Sequence, residues 1–353
     1  MTFILQKSLI CHKGILNPRT NRYLCDDGFL FYQLNIEYFH RYLLFLSKVH
    51  YMFFKNLQVY RFTRPLEQSA DALEKNLEEF KFKACGSQDI SKLGWVFPMG
   101  KSGSMYTHLA NKQILICLKK EEKMLPAGVI KDQLNEKVEA IEIEQGRGLK
   151  KKEKDALKED IIMQLLPRAF SRTSQTYAWI DPESDMLYVD ASSARKAEEL
   201  ISLLRKTVGS LPVVPVQLQN QADVVMTDWL TEGNIPANFS LEDEAELCSA
   251  LEGGGIIRCK QQDLLSDEIK NHLAADKFVT KLALNWADSI SFLISEEFAL
   301  KRLKFSDVLQ EQNEDIDKDD FAARFDADFA LMTGEIKQLM PAVIGLFGGE
   351  KTI

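Results

Sequence analysis

Strand-like and helix-like segments succeed one another in this chain without settling into a regular strand–helix–strand repeat, and no other feature constrains the fold as much. FKNLQVYRFT (54–63) has strand character, and LEQSADALEKNLEEF follows with Leu66, Ala70, Leu73, Leu77 and Phe80 on one helical face. QILICLKK (113–120) is a short apolar strand ending in lysines. PAGVIKDQLNEKVEAIEIEQ opens on Pro126, suited to a first helical turn, and Gly146 and Gly148 break it. The lysine-rich LKKKEKDALKEDIIMQLL predicts another helix, stopped by Pro167. TYAWID and MLYVDAS are expected as hairpin strands around the turn PESD. SARKAEELISLLRKTVG predicts a helix ended by Gly209, and PVVPVQL, with two prolines, belongs at a sheet edge. DEAELCSALE predicts a helix, Gly253-Gly254-Gly255 a turn and IIRCKQ a strand. KFVTKLALNW, SISFLI and LKRLKF are further strands, and an acidic helix with Phe321, Phe325 and Phe329 four apart closes the chain. The expected class is α+β, mixed sheets and helices in two or more lobes.

The formal charge of -8 argues against a polyanion partner only if the charges are evenly spread. They are not: residues 306–353 hold eleven acidic side chains against four basic ones, which leaves the rest of the chain close to neutral. The six cysteines form no C-x-x-C pair, the pattern of reduced thiols in a cytosolic protein.

Residues 1–51 differ in character and hold three of the five histidines. Their aromatic stretch YFHRYLLFLSKVHYMFF is interrupted by Arg41, Lys48 and His50, so it is a poor membrane span, and no small-residue cleavage site follows. This segment is expected to be an extension upstream of a start at Met52; an amphipathic anchor is the other reading.

Three motifs suggest chemistry and fall short. MGKSGSM (99–105) ends like a phosphate-binding loop, but Gly94 and Gly100 are wrongly spaced, Pro98 removes an amide and no helical pattern opens after Lys101. Asp315, Asp317 and Asp319 have calcium-loop spacing, yet Asp320 and Asp326 stand where that loop needs Gly and Glu. The block from Asp315 to Asp328 is therefore a solvated acidic cap or, as the enzymatic alternative, the ligand set of a metal-dependent nuclease. The glycine triplet runs from helix to strand, the reverse of a dinucleotide fingerprint. With only His108 and His272 beyond residue 51, no nucleophile–base constellation can be assembled, and neither catalysis nor a cofactor is expected.

What remains is cationic. Lys119 and Lys120, Arg168 and Arg172, Lys260 with Gln262, Lys281, and Lys301, Arg302 and Lys304 lie on strands or at element ends, where several could face one groove and hold phosphates. KKKEKDALKED, with its interleaved acids, is a solvated face. In LLPRAFSRTSQT a lone Phe170 stands between Arg168 and Arg172, either capping the local core or presenting a contact surface.

From Met52 to about Glu350 the sequence resembles the RdgC family, recombination-associated DNA-binding proteins of bacteria. The stretches that carry the resemblance are FKNLQVYR, CGSQD with GWVFPMG, LLPRAFSRTSQT, LLRKTVGSLPVVP, TKLALNW, LKRLKF and QNEDIDKDDFAARFDADFALMTGE. Residues 1–51 have no counterpart. The resemblance implies a non-catalytic, sequence-indifferent binder of double-stranded DNA, with single-stranded DNA a further possible ligand. It implies a homodimer closed into a ring with a basic hole, nucleoid-associated in the cytoplasm, without a membrane partner, and restraining RecA-promoted strand exchange. In such a ring Phe170, flanked by arginines, suits a closure contact at the dimer interface beside the DNA path. A regulator acting mainly through contact with the recombinase is a further alternative.

Overall fold

The computed structural model describes residues 52–351 except 67, 252, 314, 318 and 319, together with the backbone of three short strands nearer the start. The chain divides into two compact units, Met1–Tyr51 and Met52–Ile353. In the first, β1 (Ile15–Asn17), β2 (Arg22–Leu24) and β3 (Leu30–Tyr32) form a three-stranded antiparallel sheet, pairing that the irregular patterning of this segment had not suggested.

The second unit is built on one sheet of twelve strands. These are β4 (Asn56–Phe62), β5 (Ser91–Val96), β6 (Thr107–Ala110), β7 (Gln113–Lys123), β8 (Ser171–Asp181), β9 (Met186–Val189), β10 (Val213–Pro215), β11 (Phe239–Ser249), β12 (Ile256–Lys260), β13 (Lys277–Trp286), β14 (Ile290–Ser295) and β15 (Leu300–Phe305). Their order is β12-β11-β13-β14-β15-β4-β9-β8-β7-β5, with β10 beside β4 and β6 beside β7. The described α-helices are α1 (Ala70–Glu79), α2 (Ala127–Gln145), α3 (Lys151–Leu165), α4 (Ala194–Val208), α5 (Ala222–Glu232), α6 (Asp267–Ala274), α7 (Asp307–Glu311) and α8 (Phe321–Leu346). The architecture is α+β.

The sheet carries a core on each face, and the alternation of side chains along single strands divides it. Leu57, Leu115, Trp179 and Tyr188 join a core with α5, α8 and the strands β11 to β15. Tyr60, Ile114, Ile116, Ala178 and Leu187 face the other way, onto Leu73 and Leu77 of α1 and Leu200, Ile201 and Leu204 of α4. Each such leucine contributes about 1.5–3 kcal/mol over an exposed position. Local chemistry sets the helix ends. Ser69 caps α1 by accepting from the Ala72 amide at 3.3 Å, and α4 runs from Ser193 to Gly209 at φ +80°. Asp320 caps α8 by accepting from the Ala323 amide at 3.0 Å, and Phe325, Phe329, Met332 and Ile336 bury one side of that helix.

One expectation is corrected. DEAELCSALE forms no helix; it lies mostly in β11, where Ala245 and Leu247 enter the core while Glu244 and Glu246 face outward. The glycine triplet therefore joins two strands, β11 and β12. A Cβ on Gly254 would lie 2.4 Å from that of Ser249, so the turn closes too tightly for any other residue.

The helical hairpin α2–α3 behaves differently. None of α2 and only Ile161 of α3 is buried, so the pair stands largely in solvent. It returns to the sheet through a single 3₁₀ turn, Leu166–Arg168.

Candidate nucleic-acid interface

Two strand pairs in this part of the sheet lose register, in three steps altogether. Between β11 and β13 the pairing steps from Leu241–Leu284 to Ala245–Leu282, then from Glu246–Lys281 to Leu247–Val279. Between β14 and β15 it steps from Ser291–Lys304 to Leu293–Lys301. Bulges bend a strand and re-aim its side chains. At the first, Thr280 and Lys281 reach the same carboxylate, with Thr280 Oγ1 3.4 Å and Lys281 Nζ 2.5 Å from Glu246 Oε1. At the second, Arg302 is held in the left-handed region at φ +53°, its amide 3.3 Å from Asn56 Oδ1.

The result is an ion-pair lattice on the sheet face opposite the α5–α8 core. Glu246 accepts from Arg258 Nε at 2.7 Å as well as from Lys281. Glu244 takes a two-pronged bond from Arg302, 2.9 Å on each side, and lies 3.9 Å from Lys260 Nζ. Glu242 accepts from Ser291 Oγ at 2.6 Å. Burial pulls the Glu246 carboxyl upward, but bonds from Lys281 and Arg258 outweigh it and hold it below the usual carboxylate range. The Arg302 guanidinium lowers Glu244 in the same way. Lys301 and Lys304 share this face, paired across the ladder with Asn56 and Ser291, and neither makes an ion pair among the described residues.

Five of the cations singled out from sequence thus meet on one face: Lys260, Lys281, Lys301, Arg302 and Lys304. Arg258 belongs with them and was missed, as was the row Glu242, Glu244 and Glu246. Their alternation with Ala245 and Leu247 was the available signal. Gln262 turns away, its amide 3.2 Å from Glu268 of α6. Lys120 reaches Glu199 of α4 at 2.8 Å and is partly buried. Lys119 points to the opposite face, 4.5 Å above the ring of Phe82. Arg168 and Arg172 are exposed where the hairpin rejoins the sheet.

Phe170 is 80 % exposed, so it does not cap a core within this chain. With Met124, Pro126 and Val129 it lines a shallow cleft of about 180 Å³. The acidic block is dispersed. Asp320 caps α8, Asp326 lies 3.3 Å from His108 Nε2, and the buried Asp328 accepts from Asn313 at 3.0 Å. Asp319 lies outside the described residues. Among those described, no three His, Cys, Asp or Glu side chains are placed to share a metal ion, and no helix is long and apolar enough to cross a membrane. Gly100–Ser102 is a single 3₁₀ turn that opens no helix.

A family model described as "Putative exonuclease, RdgC" matches residues 52–350. The chain belongs to the RdgC family. It is 88% identical over 302 residues to the "Recombination-associated protein RdgC" of Psychromonas ingrahamii, covering 86% of this chain and 100% of that protein. Proteins of the same description from Aeromonas hydrophila and Tolumonas auensis are 63% and 59% identical over 300 residues, 85% of this chain and 99% of each. Residues 1–51 lie outside the RdgC match.

Proposed function

We propose that this member of the RdgC family binds duplex DNA without reading its sequence, as a ring-shaped homodimer that encircles the duplex and restrains RecA-promoted recombination at the nucleoid. The observation that carries the reading is the gathering of Arg258, Lys260, Lys281, Lys301, Arg302 and Lys304 on one face of the sheet where β12, β11, β13, β14 and β15 form it, with α5 and α8 packed on the other face. Such a face offers spaced cations to phosphates, so it favours backbone contact over base readout. A net charge of -8 is compatible with such a face, because eleven acidic side chains against four basic ones fall within residues 306–353 and leave the rest of the chain close to neutral. Relatives described as recombination-associated fit a protein that competes for DNA with a recombinase. The exposed Phe170 between two arginines supports a second contact that closes the ring.

The test is binding of labelled duplexes of unrelated sequence over a range of salt, with and without magnesium. If about six phosphates are neutralised, log K should fall with log salt at a slope near -5, alike for every sequence. A flat salt response, or one site preferred more than about a hundredfold, would refute phosphate-dominated binding. Magnesium-dependent loss of the label would support the nuclease alternative instead.

A further inference from the structure

The cations on the lattice face do not stand ready for a ligand. Four of the six are already held by two carboxylates, and only Lys301 and Lys304 are unpaired among the described residues. The pairing is built into the backbone. The two-residue slip in β11 brackets Glu244, and the bulge at Thr280 sets Lys281 against Glu246. The left-handed Arg302 aims its guanidinium at Glu244. A left-handed backbone is disfavoured for arginine, so the fold maintains this contact against local preference.

A carboxylate that grips an arginine with both oxygens occupies the fork that would otherwise grip a phosphate. We propose that Glu244 and Glu246 are resident competitors for backbone phosphate, restraining the protein's affinity for duplex so that it holds DNA weakly enough to move along it. This rests on the DNA-binding reading above and deepens it. Each phosphate that reaches Arg302, Lys260, Lys281 or Arg258 must displace a carboxylate or share a cation with one. Where the cation is shared, the phosphate is only partly neutralised and fewer counterions leave the DNA. The face with its lattice intact therefore binds more weakly, and with a shallower salt slope, than its six cations alone would give. Both carboxylates remain ionised at neutral pH, as the bonds they accept require.

The test replaces the competitors and keeps their shape: Glu244→Gln with Glu246→Gln. The expected result is duplex binding tighter by on the order of tenfold near 0.1 M salt, the size of two unit-charge repulsions in water. The salt slope should steepen by about 1 to 2. Removing two charges strengthens binding to any polyanion slightly, so the control is Asp228→Asn with Glu232→Gln. Both of these side chains are exposed on α5, behind the sheet. Glu246 is the more enclosed carboxylate, with its side chain 14% exposed against 25% for Glu244. Glu244→Gln alone therefore covers the case in which the double variant does not fold, and it should bind about threefold tighter. Wild type that binds duplex while the Gln variants bind no tighter than the α5 control would overturn the competitor role and leave the DNA-binding reading intact. Absence of duplex binding by all of these proteins would overturn both.

Discussion

Arg302 of β15 reaches Glu244 of β11 across two intervening strands, forming both prongs of the pair at 2.9 Å. Four neighbouring strands in a flat sheet would set β11 and β15 ~14 Å apart. Both side chains must therefore lean inward over β13 and β14, and the left-handed backbone of Arg302 gives its chain that direction. A contact made over a sheet rather than along it ties the β11–β12 edge to the middle of the sheet. It also fixes where the charge of this face lies.

Lys301 and Lys304 are the cations of this face that no carboxylate holds among the described residues, so they should contribute most directly to phosphate binding. Lys301→Ala and Lys304→Ala should each weaken duplex binding about equally for every sequence and reduce the salt slope by about 1. Fluorescence anisotropy on two unrelated duplexes at several salt concentrations measures both quantities. Lys120→Ala, whose ammonium is engaged by Glu199, should change the slope much less.

Thr207 tests the second core. Its hydroxyl accepts from Trp95 Nε1 at 2.9 Å and donates to the Leu203 carbonyl at 2.8 Å, and both residues are buried. Thr207→Val should strand the indole N–H and lower stability by about 1–3 kcal/mol in urea unfolding. Thr207→Ser, which keeps the acceptor, should cost less. Equal losses in the two variants would mean that the methyl group contributes as much as the hydrogen bond.

The legible parts of this fold are those decided within a few residues. Helix α4 was readable because Ser193, the spaced leucines and Gly209 sit in one short stretch, and the strands from Lys277 to Phe305 were readable from dense apolar runs. Strand β11 was not, because Glu, Ala and Leu favour helices. The decisive alternation from Glu244 to Leu247 spans only four residues. Lys120 and Arg302 looked alike as basic residues near strand ends, yet their partners lie 79 and 58 residues away. No local pattern distinguishes a lysine tied to a helix from a cation aimed over a sheet. The bulges are a property of paired strands, so a single strand's sequence does not announce them.

His108 makes the stability of this unit sensitive to mild acid. Burial lowers the pKa of its imidazole below the ordinary 6.5, against the opposing pull of Asp326, and the ring packs edge-on to Phe325 and Phe329. The folded value lies below the unfolded one, so the unfolded state takes up the proton first as pH falls. Stability is therefore lost from about pH 6.5 downward until the folded value is passed. The thermal midpoint of wild type should drop further between pH 7.5 and 5.5 than that of His108→Gln. Parallel drops would remove His108 as the cause.

Phe170 offers the sharpest test of the proposed ring-shaped dimer. A buried phenylalanine cut to alanine costs about 3–5 kcal/mol, but one that is 80 % exposed should cost its own chain very little. Phe170→Ala is thus expected to leave the thermal midpoint nearly unchanged. If the ring sits in a second copy of the chain, the same change should loosen that contact by roughly 2 kcal/mol or more. A closed ring threaded by linear DNA can escape by sliding off an end, because phosphate contacts hold charge without holding register. Blocking both ends of the duplex with bulky adducts should therefore slow dissociation of wild type and slow it much less for Phe170→Ala, with the dimer mass unchanged if a larger interface remains. Arg168→Ala, beside the same junction, should instead weaken binding on open and blocked duplexes alike. Off-rates from the two duplexes measure all three proteins: equal rates for wild type would exclude encirclement, and an undiminished end-blocking effect in Phe170→Ala would leave this exposed ring without a role in closure.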